Sequence, residues 1–189
     1  DISLIITENK PYYVLQKINR VVFKEANKLI QNKVLISKHL EEKFAYLPEY
    51  EIHNNVLCFV LSKDGNYFYR DIEGNYWNLS FYIEDGITYE KAPNSEIAFE
   101  AGKATGNFLA LTSDFKLKKL STILPDFHQV SVRYEQFKKS LSEASKERKE
   151  IAKELIDSSK KHINEMLHLD EANNEKKIPK RVIHGDTKI

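Results

Sequence analysis

Hydrophobic residues follow two rhythms along this chain. Ile2-Ser3-Leu4-Ile5-Ile6 and Tyr12-Tyr13-Val14-Leu15-Gln16-Lys17 are β-branched or aromatic runs on either side of the polar stretch Glu8-Asn9-Lys10-Pro11, which predicts a β-hairpin. From Lys24 to Lys43 the rhythm changes. Ala26, Leu29, Ile30, Val34, Leu35 and Leu40 recur at helical spacing. Strand-like runs then return at His53 to Ser62, Tyr67 to Asp71 and Tyr76 to Ile83. They are separated by the turn sequences Lys63-Asp64-Gly65-Asn66 and Glu73-Gly74-Asn75. With the first hairpin these make a five-stranded antiparallel sheet carrying one helix.

The second half is helical in pattern. Ser95 caps a predicted helix from Glu96 to Leu111, with Ile97, Ala101, Ala104, Phe108 and Leu111 on one face. Gly102 and Gly106 in that helix would let another helix come close. Val130 to Leu169 is rich in Lys and Glu at i,i+4 spacing, and its apolar repeat breaks near Ser158-Ser159. That predicts two helices with a bend rather than a coiled coil. Asp170 to Lys177 is a polar linker, and Pro179 starts the approach to a short buried strand at Val182-Ile183. Gly185 then allows a sharp turn beside Asp186. The fold class is α+β: a sheet lobe over residues 1–83, followed by a mainly helical lobe over residues 84–189.

Composition narrows the function classes. The formal net charge of +1 supplies no long-range field for nucleic acid or an anionic membrane. No apolar run approaches a membrane span. The single cysteine, Cys58, excludes an internal disulfide and fits a reducing cytoplasm. Its apolar neighbours Leu57 and Phe59 mark it as a core side chain. The chain opens at Asp1 without a Met or a signal peptide, so residues are expected upstream.

Several chemistries lack their motifs. There is no Gly-x-x-x-x-Gly-Lys-[Ser/Thr] phosphate loop and no Gly-x-Ser-x-Gly nucleophile turn. His162 and His168 are six apart on a predicted helix, off a common face, and no cysteine cluster accompanies them. What remains is His184-Gly185-Asp186 followed by Lys188. A carboxylate beside a lysine suits activating a hydroxyl while steadying a phosphoryl group in transfer. Far upstream, period-two geometry puts Leu15 and Lys17 on one strand face, an apolar wall beside an ammonium.

Arg181-Val182-Ile183-His184-Gly185-Asp186-Thr187-Lys188-Ile189 resembles the catalytic loop of the aminoglycoside phosphotransferase/choline kinase-like families, relatives of protein kinases. Within them it is most similar to the sugar kinases related to N-acetylhexosamine 1-kinase. Two further segments are similar to those kinases. They are Glu100 to Phe108, and Leu120 to His128, the latter with Leu124 inserted or substituted. The resemblance implies a protein kinase-like fold, ATP and Mg²⁺ as cofactors, and a small-molecule acceptor, a sugar or amino sugar, with no nucleic acid and no membrane involved. Asp186 and Lys188 become the catalytic pair. Val14-Leu15-Gln16-Lys17 becomes the strand whose lysine grips the nucleotide phosphates, with Leu15 under the base. Tyr82, Ile83 and Glu84 become the hinge whose backbone holds adenine. His128 and Arg133 become candidates to contact the substrate. Such kinases place an acid on the first helix to hold the strand lysine. This chain has Gln31 at the aligned position, leaving Glu25, Glu41 or Glu42 as substitutes. The family's metal ligands, an Asn and a later acidic residue, lie beyond Ile189, so a longer kinase is expected and no metal ligand falls in these residues. An aminoglycoside or choline kinase, or a non-catalytic kinase-like interaction module, are the alternatives.

Overall fold

The computed structural model describes residues 1–7, 10–185 and 187. It is an α+β protein whose described residues form a four-stranded antiparallel sheet and six α-helices. The chain forms two compact units. One is Asp1–Ile123 together with Arg181–Ile189, and the other is Leu124–Lys180.

In the first unit, β1 (Ile2–Thr7) and β2 (Lys10–Lys17) pair antiparallel, with Leu4 opposite Val14 and Ile2 opposite Gln16. A register irregularity falls between Ile5 and Ile6. β2 takes in Lys10 and Pro11, which the pattern had put in the turn. α1 (Ala26–Lys43) follows, then α2 (Glu49–Asn55), β3 (Tyr69–Arg70) and β4 (Tyr76–Phe81). β4 pairs with both β2 and β3, giving the order β1-β2-β4-β3.

The sheet has four strands, not the five expected. The run from His53 to Ser62 splits. Its first residues complete α2, which starts after Pro48 and has Glu49 and Glu51 in the first turn, where the helix dipole favours acids. His53, Asn54 and Asn55 carry little strand preference to oppose this. The remainder runs beside β4: Cys58 O accepts from Phe81 N at 3.0 Å and Val60 N donates to Leu79 O at 2.9 Å. Only the bridge Phe59–Ser80 results. Tyr67 to Asp71 likewise contracts to the two residues of β3. Both glycine turns form, with Gly65 at φ +75° and Gly74 at φ +79°. Asp71 closes the second by accepting from Asn75 N at 2.8 Å.

α1 buries Ala26, Ile30, Val34 and Ser37, one stripe at helical spacing. Ile18, Ala26, Ile30 and Val34 make the core, with Phe23, Phe59, Phe68 and Tyr76 packed against it. Full burial of Ile30 contributes about 2–3 kcal/mol. The far end of α1 is tied to the segment that follows α3 (Ser95–Leu111). Asn32 and Ser121 exchange two hydrogen bonds, Nδ2 to O at 2.7 Å and N to Oδ1 at 2.9 Å. His39 Nε2 and Lys43 Nζ reach the Asp114 carboxylate at 3.0 and 2.6 Å. The Lys43 ammonium in turn holds the Asp114 carboxyl below its ordinary pKa. The cap of α3 is Asn94, whose side chain accepts from Ile97 N at 2.9 Å, not Ser95, which is the first helical residue.

The second unit contains α4 (Val130–Glu143), α5 (Lys146–Ile151) and α6 (Lys153–Asn174). The breaks fall at Ala144-Ser145 and at Ala152. Ser158-Ser159, the expected bend, is inside α6, and the predicted linker from Asp170 is largely its last turn. Ser145 caps α5 by accepting from Arg148 N at 3.3 Å. Ser159 instead donates to Leu155 O at 2.7 Å, so its hydroxyl is satisfied within the helix. Asp170 of α6 caps α4 from a distance, accepting from Val130 N at 3.3 Å and Ser131 N at 2.7 Å.

Candidate functional site

Alternation along β2 sorts its side chains onto two faces. Leu15 and Lys17 share one, opposite Leu79 and Trp77 of β4. Leu15, Trp77, Leu79 and Tyr67 line an apolar hollow of about 430 Å³ there. Lys17 Nζ lies 5.4 Å from the centre of the Trp77 ring, a cation–π contact. Trp77 Nε1 in turn donates to Asp71 Oδ2 at 2.8 Å. This bond, with those from Asn75, holds the Asp71 carboxyl down at about 2. No acidic side chain pairs with Lys17 among the described residues. Of the proposed substitutes, Glu25 pairs with Lys28 at 2.7 Å and Glu41 accepts from Ser37 at 3.0 Å.

Val14 and Gln16 occupy the opposite face of β2, which α1 covers. Lys33 Nζ, from α1, donates to Gln16 Oε1 at 2.7 Å and lies 5.1 Å from the Phe59 ring centre. Asn78 Nδ2 approaches the same oxygen at 3.4 Å. Burial pushes the Lys33 ammonium down to about 8. Sequence reasoning missed this residue. The available signal was position: Lys33 is three after Ile30 and four before Ser37, on the buried stripe, where an isolated lysine is uncommon.

At the end of β4, Tyr82 N donates to Tyr12 O at 2.9 Å, and Glu84 N to Asn54 Oδ1 at 3.4 Å. Between them the Ile83 amide has no partner among the described residues. Asp85 follows at φ +57°, where the chain leaves the sheet.

Asp186 and Lys188 lie outside the described residues. The chain leading to them does not. Val182 is buried and Arg181 Nη1 donates to Ser113 O at 3.3 Å, which fixes the segment against the end of α3. No strand forms at Val182-Ile183, because no neighbouring strand offers its edge there among the described residues. Ile183 is exposed and Gly185 adopts φ +85°, the turn for which a glycine was expected. Ile183, His184, Gly185 and Thr187 form one wall of a groove of about 960 Å³, and Ala101, Gly102, Thr105 and Phe108 of α3 form the other. Among the described residues, a Cβ at Gly102 or Gly106 would meet nothing within 4 Å.

His128 and Arg133 belong to the second unit. Arg133 Nε donates to Phe127 O at 3.0 Å, and its guanidinium lies 5.6 Å from the Phe127 ring centre. It thus braces the turn at Asp126 (φ +57°) that leads into α4. The Phe127 and His128 rings meet edge to face at 4.5 Å. Cys58 is buried, and desolvation together with the nearby Glu41 carboxylate pushes its thiol up to about 12.

No group of three or more His, Cys, Asp or Glu among the described residues could hold a metal ion. Among the described residues no helix is long and apolar enough to cross a membrane. No family model matches the chain.

Proposed function

We propose that the chain is part of an ATP-dependent phosphotransferase of protein kinase-like fold that phosphorylates a hydroxyl of a small molecule, a sugar or N-acetylhexosamine, in the cytoplasm. The observation that carries this is the segment His184-Gly185-Asp186-Thr187-Lys188, entered through a buried Val182 and turned at a positive-φ glycine. Two features support it. An antiparallel sheet has one helix, α1, bridged to its second strand by a polar contact. Among the described residues the backbone amide at Ile83 has no partner where the sheet ends, as an adenine edge requires.

In this scheme Asp186 orients the acceptor hydroxyl and takes its proton as the oxygen attacks the terminal phosphorus. Lys188 offsets charge on the moving phosphoryl group. Tyr82 to Glu84 meet the base through backbone groups. ATP supplies the phosphoryl group, and Mg²⁺ is the expected counter-ion.

The test is ADP release by the full-length protein incubated with Mg-ATP and a panel of hexosamines, hexoses, choline and aminoglycosides. Release with one acceptor class, lowered on the order of 10²-fold or more in Asp186→Asn, is the expected result. ATP binding without release for any acceptor points instead to a non-catalytic module. The absence of an acidic partner for Lys17 among the described residues favours that alternative.

A further inference from the structure

We infer that the donor phosphates are met by Lys33 of α1, seated on Gln16, and not by Lys17; this rests on the phosphotransferase reading above. The faces of β2 decide the matter. In the kinase-like reading the phosphate-binding cation is steadied by a contact between the first helix and the strand, so it belongs on the face of the sheet that the helix covers. α1 packs on the Val14 and Gln16 side. The helix-to-strand contact expected of such a fold is present there with its partners exchanged: the cation comes from the helix and the neutral acceptor from the strand, at 2.7 Å. Lys17 points to the opposite face, where its ammonium lies over the Trp77 ring and no group of α1 reaches it among the described residues.

Three further observations agree. No carboxylate pairs with Lys33 among the described residues; a neutral amide oxygen and the Phe59 ring are what its ammonium meets, so an arriving anion finds no ion pair to displace. Its oxygen partner Gln16 is itself held by Asn78, only 3% exposed, which fixes the place of the ammonium. On the same face β1 presents Ile2 and Leu4 opposite Gln16 and Val14, and these are 68% and 52% exposed. An open apolar surface beside a lone cation is what a flat base bearing a polyphosphate needs. The ligand class is therefore a nucleoside triphosphate, with the base over Leu4 and Val14 and phosphate oxygens at Lys33.

The inference is tested by calorimetric titration of the full-length protein with ATP and with adenosine. Lys33→Ala is expected to weaken ATP about tenfold to a hundredfold, the worth of one charge-assisted hydrogen bond, and to leave adenosine unchanged. Lys17→Ala changes ATP by less than about threefold, as a partly exposed charge that meets no phosphate does. Lys33→Arg recovers part of the loss. A larger loss in Lys17→Ala overturns the inference, as does equal weakening of ATP and adenosine in Lys33→Ala, which marks a structural role. Should Lys33→Ala not fold, amine-reactive ester labelling of the wild-type protein at pH 8, read residue by residue, replaces it. ATP then protects Lys33 and not Lys17, and the reverse pattern refutes the assignment. A folded wild-type protein that binds neither ligand overturns the phosphotransferase reading itself.

Discussion

Replacing Lys33 with methionine is expected to stabilise the first unit. The side chain keeps most of its aliphatic volume and loses an ammonium that burial disfavours. A fall from 10.5 to about 8 corresponds to about 3 kcal/mol held against the charged form at pH 7. The lost bond to Gln16 returns about 1 kcal/mol. The net gain is about 2 kcal/mol, or about 1 M in a urea midpoint at ordinary m-values. The sign of the pH dependence follows from linkage. Between pH 8 and 10.5 the unfolded chain holds a proton on Lys33 that the folded chain has released, so wild-type stability rises through that window. The variant lacks this contribution, and its advantage shrinks as pH climbs. Trp77, the single tryptophan, sits in β4 and reports unfolding of this unit by fluorescence. Other groups titrate equally in both proteins and cancel in the difference. A variant less stable than wild type at pH 7, or a difference constant from pH 7 to 10, would refute the account.

Asp170→Asn removes the charge that caps α4 and is expected to cost about 1 kcal/mol in thermal melts followed by circular dichroism. The amide bonds from Ser131 and Val130 hold the Asp170 carboxyl below its ordinary pKa. Its contribution is therefore present above the usual carboxylate range and lost as pH falls through the lowered value, a loss absent from the variant. Asn94→Ala leaves Ile97 N without its acceptor and costs about 1 kcal/mol, while Ser95→Ala costs less than half of that; comparative melts rank the two. Cys58 should not react with a disulfide reagent in the native protein at pH 8, and should react fully once urea exposes it; rapid native labelling would contradict its raised pKa.

Elements whose signal is local were legible in the chain. α1 and α3 declare themselves by spacing, and Gly65 and Gly74 mark their turns. The run Val56 to Val60 has the composition of a strand, but a strand also needs a length of neighbouring edge, and β4 offers it only around Ser80. The breaks in the long helical stretch fall at Ala144-Ser145 and Ala152 and not at Ser158-Ser159, because a serine pair does not by itself bend a helix. A serine marks a break when its oxygen caps the first turn of the next helix, as at Ser145, and not when its hydroxyl folds back on the preceding turn, as at Ser159. In the candidate site, alternation along β2 was read correctly, yet it does not say which face a helix will cover. The Lys33–Gln16 contact and the distant Asp170 cap join residues far apart in order, and no local pattern announces them.

The double clasp between Asn32 and Ser121, with Asp114 gripping the last turns of α1, has a mechanical consequence. α1 cannot slide along the sheet by itself, since four separate bonds pull residues 114 to 121 with it. Any motion that opened or closed the space beside β2 would thus be felt at once at Ser121, 89 positions away along the chain from the helix residue that holds it.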